Sequence, residues 1–296
     1  MTYLKSIKTS EIKDIMQKSS YNSFERELFE KVYQQDTLIR LKQTIKNIPV
    51  AFPKAHLVDI GCYAPMISLY SQLLGYQSIS ALAMYDWDAL STKMNQTPTD
   101  IQLNVFIQDV EKTKLPFDDQ SVDVVLLLEV LEHFSIDPVF VMAEINRILK
   151  PEGVLVLSVP NILHPLFGFN HFLGKNPCKE PYNGYDANRH NRLYTSSEIK
   201  QLATDTGFEC EVLTTIRTST NFPTQLLLLF YHVADGLNLL RGKNLFYQRG
   251  EIILSRMIKK TAVKERYPRW LYINRDIYRN WYESFNLSSS HVDVNF

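Results

Sequence analysis

Two carboxylates and an imidazole stand close together in the middle of this 296-residue chain, where Glu129, Glu132 and His133 form the pattern ExxEH. If a helical turn begins at Glu129, the spacings of three and four place all three side chains on one face. Such a face can supply a general base, because the His133 imidazole can take a proton from an acceptor hydroxyl or amine. It can also bind a divalent metal ion, since two oxygens and one nitrogen form a ligand set that would lower the pKa of a bound hydroxyl. A third interpretation is that Glu132 and His133 only cap the following helix.

The elements around this pattern form a strand, helix, strand unit within residues 115–161. Apolar strands at 122–128 and 154–159 flank an amphipathic helix of about a dozen residues, a spacing that predicts a right-handed crossover between parallel strands. Because both strands are apolar throughout, we expect cover on both faces of the sheet. Ligands of such open sheets bind beyond the carboxyl ends of the strands. Those ends carry ExxEH and the pair Pro160 and Asn161.

Strands and helices alternate along the chain, which predicts a doubly wound α/β fold with a mostly parallel sheet and helices on both faces. A helix capped by Thr195 or Ser196 is predicted to end before Gly207. We expect an N-terminal helical cap at 1–50, a main domain at 51–260 and a C-terminal extension at 261–296. The predicted strands are 56–60, 78–83, 102–107, 122–128, 154–159, 209–216 and 251–257, and further helices are predicted at 66–74, closed by Gly75, and at 87–94.

Composition and charge argue against several classes of protein. Lys plus Arg and Asp plus Glu both number 32, so the net charge is +0 and nucleic acid is disfavoured as a partner. The 3 cysteines form no CxxC pair, which argues against a thiolate zinc site or a disulfide framework. No GxGxxG follows the first strand, so an NAD-linked dehydrogenase is disfavoured. The N-terminal residues lack the apolar core of a secretion signal, and no apolar run reaches about 18 residues, so we predict a cytoplasmic protein.

Two insertions interrupt the alternation of strands and helices. The first, at 162–192, is aromatic-rich and is predicted to be a substrate lid, in which Phe172, Tyr182 and Tyr185 could stack on a sugar or an aromatic ring. His164 and His171 are predicted to serve this lid or its packing. The second, at 222–245, is apolar and helical, and a basic segment follows it. Region 222–282 either makes a peripheral contact with the inner membrane face or a lipid-linked substrate, or packs as a helix with a solvated basic surface.

Four stretches follow one another between roughly residues 55 and 217: VDIGCYAPMIS, IQDVEKTKLPFDDQSVDVVLLLEVLEHF, INRILKPEGVLVLSVPN and HNRLYTSSEIKQLATDTGF. Together they resemble the class I S-adenosylmethionine-dependent methyltransferases. The resemblance implies a Rossmann-like sheet of seven strands with an antiparallel last strand, which would be 251–257. It also implies that the cofactor is S-adenosyl-L-methionine.

The resemblance implies which residues contact the cofactor. Asp59 and Gly61 would end the first strand and let the backbone approach the methionine half. Asp109 would accept a hydrogen bond from the adenine amino group, unless it is a helix-capping acid. Asp86 or Asp88 would reach the ribose hydroxyls, unless they cap helix 87–94. The full implied set is Asp59, Gly61, Cys62, Tyr63, Met84, Asp86, Asp109, Val110 and Leu128.

Three positions depart from the family pattern. The family has glycine where this chain has Tyr63 and Pro65, and each substitution adds bulk where the backbone meets the cofactor. The family also has an acid at the end of the second strand, where this chain has Ala83 or Met84. These departures leave open an inactive methyltransferase-like protein that acts as a binding or scaffold module. The retained motif residues argue for an active enzyme.

The same ExxEH pattern serves a divalent-metal site in the ubiquinone-pathway O-methyltransferases and the small-RNA 2′-O-methyltransferases, which this chain resembles. By that likeness, Glu129, Glu132 and His133 would bind Mg, Mn or Zn together with His190 of the later stretch NRHNRLY. His133, His190 and Glu129 would then be the catalytic residues. We predict O-methylation of a hydroxyl, with a glycan or lipid-linked glycan as the first choice of acceptor and a quinone or polyketide-like phenol as the second.

Overall fold

The computed structural model of the chain describes residues 1–18, 35–83, 101–174, 190–218 and 249–272. Its strands are β1 His56–Ile60, β2 Ser78–Ala83, β3 Gln102–Ile107, β4 Val122–Leu128, β5 Leu149–Pro160, β6 Phe208–Ile216 and β7 Ile252–Lys259. They form one seven-stranded sheet in the order β3-β2-β1-β4-β5-β7-β6. Strands β1 to β5 are parallel, and β7 is antiparallel to both β5 and β6. The predicted α/β fold, with its antiparallel last strand, is confirmed.

The helices of the described residues are α1 Thr9–Lys18, α2 Gln35–Asn47, α3 Ala64–Leu74, α4 Pro138–Ile148, α5 Pro165–Phe172 and α6 Ser196–Asp205. Gly75 ends α3 in the left-handed conformation at φ 78°, as its position after the apolar run predicted. Thr195 caps α6 through a capping box with Glu198. The predicted helix 87–94 and the apolar insertion 222–245 lie outside the described residues.

The sheet divides the core into two hydrophobic clusters, one on each face. Alternate residues of a strand point to opposite faces. Along β4, Val124 and Leu126 belong to one cluster, whereas Val125 and Leu127 belong to the other. Helices α1 and α2 pack on the first face, and α4 and α6 on the second. Both faces of the central strands are therefore covered, as their uninterrupted apolar sequences predicted.

Some basic residues of the segment after residue 241 form hydrogen bonds and an ion pair within the fold. Arg266 is buried and its Nη2 lies 2.6 Å from Oδ2 of Asp137, the N-cap residue of α4. Lys259 Nζ donates to the carbonyl oxygens of Asn146 and Leu149 at 2.6 and 2.7 Å. These cations stabilise the packing of β7 and of residues 264–272 on α4. Peripheral membrane contact through 222–282 stays a prediction. No helix within the described ranges combines the length and the apolar character that a bilayer crossing requires.

Candidate active site

The carboxyl ends of β1 and β4 form the topological switch point of the sheet, because β1 pairs with β2 on one side and with β4 on the other. Ligands of open α/β sheets bind at such a point. Gly61 leaves β1 with a φ of +77°, and a Cβ at this position would lie 2.4 Å from Cγ2 of Val130. Glycine is therefore required here, and the turn after β1 packs directly against the ExxEH segment.

Asp59 and Cys62 support this turn from within the core. The buried carboxyl group of Asp59 accepts a hydrogen bond from the Tyr70 hydroxyl at 2.9 Å. Burial raises the pKa of Asp59 to about 7, and the hydrogen bonds from Tyr70 and Cys62 act in the opposite direction. Burial and the neighbouring charge of Asp59 also raise the pKa of the Cys62 thiol. The last residue but one of β1 therefore carries a carboxyl group whose ionisation costs desolvation free energy.

Tyr63 and Pro65, which replace the family's glycines, both lie at the beginning of α3. Tyr63 is the N-cap residue, and Pro65 occupies the first turn. Pro65 is buried, and its missing N–H costs little because the first-turn N–H groups have no acceptor within the helix. The Tyr63 side chain is half-buried and packs against the first core cluster. Gly61, two residues earlier, remains exposed.

Asp109 caps the turn that follows β3. Its Oδ1 accepts from the Glu111 backbone N–H at 3.0 Å, and its Oδ2 lies 2.8 Å from Lys112 Nζ. The alternative role predicted a helix after Asp109, whereas only a turn follows it, and its contact with the adenine amino group stays a prediction. Val110, beside it, is half-buried against the second core cluster. The last residue of β4, Leu128, is half-buried against the first cluster. Met84 and Asp86, the other predicted cofactor contacts, lie outside the described residues.

Glu129 does not begin a helical turn, so the expectation that one face carries Glu129, Glu132 and His133 was wrong. Its backbone is left-handed at φ 57°, and the single 3-10 turn that follows spans Leu131–His133. The Glu129 carboxylate instead accepts a hydrogen bond from Ser158 Oγ at 2.8 Å and pairs with Arg40 Nη1 at 3.0 Å. Arg40 belongs to α2, and its presence at the carboxyl end of β4 was not predicted.

Glu132, His133 and His190 come together as predicted. One potential ligand atom from each residue lies within 4.8 Å of the other two. Glu132 is 1% exposed, and its Oε1 lies 3.8 Å from His133 Nε2. The two imidazole rings meet edge to face, with centroids 5.0 Å apart. Among the described residues this cluster has the donor types and spacing for a divalent ion, and Glu129 is not part of it.

The Glu132 carboxyl group lies in an unusual electrostatic environment. Burial and then the charge of Glu129 raise its pKa well above the usual range, and the charge of Arg40 opposes this shift. Within the described part of the chain, its Oε2 atom is buried and accepts no hydrogen bond. A buried carboxylate oxygen without a partner is rare because its desolvation is not compensated. The position therefore suits a bound cation.

Residues 190–192 are tied to the ExxEH segment by backbone hydrogen bonds. The N–H groups of Asn191 and Arg192 both donate to the Glu132 carbonyl, at 2.7 and 3.2 Å. The Asn191 side-chain amide donates to the His133 carbonyl at 2.7 Å. A bridge between Asn161 and Tyr194 holds the same segment to the end of β5. These contacts explain how His190, distant in sequence, reaches His133.

Glu111 fixes the other end of the ExxEH segment. Its buried carboxylate accepts the backbone N–H groups of Ser135, Ile136 and Asp137 at 2.7 to 3.1 Å. Burial raises the pKa of Glu111, and these three hydrogen bonds oppose the shift. The sequence signal was weak, because Glu111 is one of several acids after β3. Asn191, inside HNRLY, and Arg40, in an amphipathic helix, were equally hard to single out.

The predicted lid is described only at its beginning. His164, just before α5, is buried, and its Nε2 lies 3.4 Å from Glu251 Oε1. Its ring also meets Phe167 edge to face. His164 thus has the packing role that was predicted for it. The side chains of His171 and Phe172, and residues Tyr182 and Tyr185, lie outside what the structure describes.

A family model described as a methyltransferase domain matches residues 31–213, more than half of the chain. The chain belongs to this family and is an S-adenosylmethionine-dependent methyltransferase. It is 26% identical over 220 residues to the ubiquinone biosynthesis O-methyltransferase of Rickettsia typhi, an alignment that covers 71% of this chain and 83% of that enzyme. It is 30% identical over 112 residues to the enzyme of the same name from Xanthomonas campestris, covering 38% of this chain and 46% of the relative.

Solved structures share the fold at low sequence identity. An S-adenosylmethionine-dependent methyltransferase from Mesorhizobium loti has a TM-score of 0.51 at 13% identity, over 76% of this chain and 100% of that chain. The 4+2 cyclase SpnF also has a TM-score of 0.51, at 17% identity, over 77% of this chain and 83% of that chain. A fold that includes a cyclase does not define the acceptor, so the acceptor must be argued from the site.

Proposed function

We propose that this methyltransferase transfers a methyl group to a hydroxyl oxygen of a small molecule, with the Glu132, His133 and His190 cluster acting on that hydroxyl. The observation that carries the proposal is the position of this cluster beside the switch point of the sheet. Val130, in contact with Gly61, lies in the same segment as Glu132 and His133. A hydroxyl group bound by the cluster would therefore lie close to the methyl group of a cofactor that binds at Gly61.

The residues around Gly61 fit S-adenosyl-L-methionine. Gly61 is exposed and has no side chain, so its backbone can contact the methionine half of the cofactor. The cofactor's carboxylate requires a cationic partner, and the Arg40 guanidinium lies beside the switch point to supply it. The bulk of Tyr63 and Pro65 is taken up in the packing of α3. These features support an active enzyme over an inactive scaffold.

The cluster also fits a divalent ion. Its donor atoms would be a carboxylate oxygen of Glu132 and an imidazole nitrogen from each histidine, a set that suits Zn or Mn better than Mg. When bound, such an ion would act as a Lewis acid that orients the acceptor hydroxyl and lowers its pKa. The protein's own contribution is to hold the two imidazoles together through Asn191. Without a bound ion, the free imidazole nitrogen of His133 would instead take the hydroxyl proton directly.

The acceptor that we favour is a phenolic hydroxyl. Ubiquinone is a methoxylated quinone, and the relatives reported above are named for O-methylation in its biosynthesis. A phenol also loses its proton more readily than a sugar hydroxyl, so an imidazole base suits it better. The sugar acceptor that we placed first on the sequence has no comparable support and becomes the second candidate.

The test is a methyl-transfer assay with S-adenosylmethionine and two acceptors, a dihydroxybenzoate and a methyl glycoside, analysed by mass spectrometry. We expect a methyl ether on the phenol, and we expect His133→Ala to lose turnover while it still binds S-adenosylhomocysteine. Methyl transfer to nitrogen, or turnover of His133→Ala equal to that of the parent, would contradict the assignment. If a chelator leaves the activity unchanged, a metal ion is not part of the mechanism.

A further inference from the structure

The Glu129 carboxylate is held away from the cluster that its sequence pattern predicts it should join. Ser158 donates to its Oε1 at 2.8 Å, and Arg40 pairs with its Oε2 at 3.0 Å. Glu132, His133 and His190 approach one another without it. The position of Glu129 is therefore set by two partners, and one of these is the cation that we assign to the cofactor.

Arg40 cannot serve two carboxylates equally well. A guanidinium binds one carboxylate through a planar pair of N–H groups, and this geometry is lost when a second anion approaches the same edge. The ion pair with Glu129 is partly exposed, with the two side chains 29% and 22% accessible, so it is weak enough to be exchanged. When the cofactor's carboxylate takes Arg40, Glu129 loses its charged partner.

We propose that Arg40 and Glu129 form a switch that couples the two ligands of the site. Binding of the cofactor removes Arg40 from Glu129, and the released carboxylate joins Glu132, His133 and His190 as a further ligand of the divalent ion. This inference rests on the proposed function, because it requires both a cofactor at Arg40 and an ion at the cluster. It states in addition that each ligand strengthens the binding of the other.

Electrostatics supports the direction of the coupling. Glu129 lies three residues before the buried Glu132, and the Arg40 guanidinium, 3.0 Å from the Glu129 carboxylate, balances part of the negative charge of these two acids. Withdrawal of Arg40 would leave two neighbouring carboxylates that repel each other. A divalent cation relieves that repulsion, so it binds more tightly once Arg40 is occupied. Linkage requires the cofactor to gain the same factor from the ion.

The experiment is calorimetry on the full-length chain with Mn²⁺ and S-adenosylhomocysteine, the product that cannot donate a methyl group. We expect saturating S-adenosylhomocysteine to tighten Mn²⁺ binding about tenfold, within the roughly 5- to 150-fold that couplings between sites span. The reverse titration should give the same factor. Turnover is not needed for this measurement, so an unidentified acceptor does not affect it.

Two variants test the mechanism of coupling. Arg40→Gln should bind Mn²⁺ more tightly than the parent when S-adenosylhomocysteine is absent, and S-adenosylhomocysteine should no longer change that affinity. Ser158→Ala loosens Glu129 from its other side, so it should also tighten Mn²⁺ binding but keep the response. The matched control is Arg256→Gln, which makes the same chemical change in an ion pair with Glu211 at 2.8 Å, away from the switch point. It should leave both affinities unchanged.

The outcomes separate the inference from the function on which it rests. If both ligands bind but neither affects the other, or if Arg40→Gln keeps the coupling, the switch is refuted while the proposed function stands. If Mn²⁺ does not bind although S-adenosylhomocysteine does, the metal assignment fails and the switch fails with it. A tenfold reciprocal effect that Arg40→Gln abolishes and Arg256→Gln preserves would establish the inference.

Discussion

Replacement of Gly61 by alanine tests the packing that joins the turn after β1 to the ExxEH segment. A Cβ at this position lies 2.4 Å from Cγ2 of Val130, well below van der Waals contact, and the φ of +77° disfavours any side chain. The left-handed backbone costs about 1–2 kcal/mol, and overpacking adds roughly 1–3 kcal/mol. We therefore expect Gly61→Ala to lower the free energy of unfolding by about 2–5 kcal/mol.

A second variant separates the two contributions. Val130→Ala removes the methyl group that the new Cβ meets, at its own cost of about 1 kcal/mol for partly buried methyl groups. In the Val130→Ala background, Gly61→Ala should cost only the backbone contribution of about 1–2 kcal/mol. The difference between the two backgrounds is the coupling energy of the contact, about 1–3 kcal/mol.

Urea unfolding of the four proteins, followed by circular dichroism, measures this difference, and calorimetry gives their affinities for S-adenosylhomocysteine. Gly61→Ala should weaken binding in both backgrounds, because the strained backbone moves the turn through which Gly61 approaches the cofactor. If Gly61→Ala costs the same in both backgrounds, within about 0.5 kcal/mol, Val130 is not the obstacle and the packing argument is refuted.

Three further predictions concern buried charges. The native pKa of Asp59 is about 7, above the value of 3.8 for an unfolded chain, so the native state retains a proton that the unfolded chain has released, and stability falls as the pH rises between these values. The free energy of unfolding of Asp59→Asn, measured with urea and compared with that of the parent, should therefore rise by about 2–3 kcal/mol from pH 5 to pH 8. If the difference between the two proteins does not change with pH, Asp59 titrates normally. Arg266→Met removes the buried partner of Asp137 and should lower the free energy of unfolding by about 3 kcal/mol, whereas a loss below 0.5 kcal/mol in the same assay would mean that Arg266 is not structurally required. Glu111→Gln keeps only one acceptor oxygen for the three N–H groups of 135–137. It should therefore reduce turnover several-fold in methyl-transfer kinetics and leave S-adenosylhomocysteine binding unchanged. Unchanged turnover would show that Glu111 does not position the ExxEH segment.

The sheet could be predicted because its information is local. Strands β1, β2, β3 and β4 have the predicted bounds, since each is an apolar run limited by turn residues or a charged residue. The antiparallel arrangement of β7 came from the family resemblance and not from its own sequence. The first five residues of β5, 149–153, were missed because Leu149 pairs with Val122 across an irregularity in the register, a contact that no sequence pattern encodes.

The site was predicted less completely because its geometry depends on contacts between distant segments. The pattern ExxEH indicated chemistry, but it did not show that Glu129 has a left-handed backbone and faces Ser158 and Arg40. A helical-wheel argument assumes one regular turn, and here the turn begins only at Leu131. His190 was placed by family likeness alone, whereas the hydrogen bonds of Asn191 that bring it to His133 required the structure.

The two substitutions in the glycine-rich motif illustrate the difference between a pattern and the physical need behind it. Glycine is required where a side chain would meet a fixed neighbour and is favoured where φ is positive, and Gly61 satisfies both conditions. Tyr63 satisfies neither, because its φ of −104° is open to any residue and its side chain packs against the first core cluster. Pro65 even matches its location, since the first turn of a helix tolerates a residue without an N–H. The one glycine that the geometry demands has been kept, so the departures from the family motif do not by themselves argue for an inactive protein.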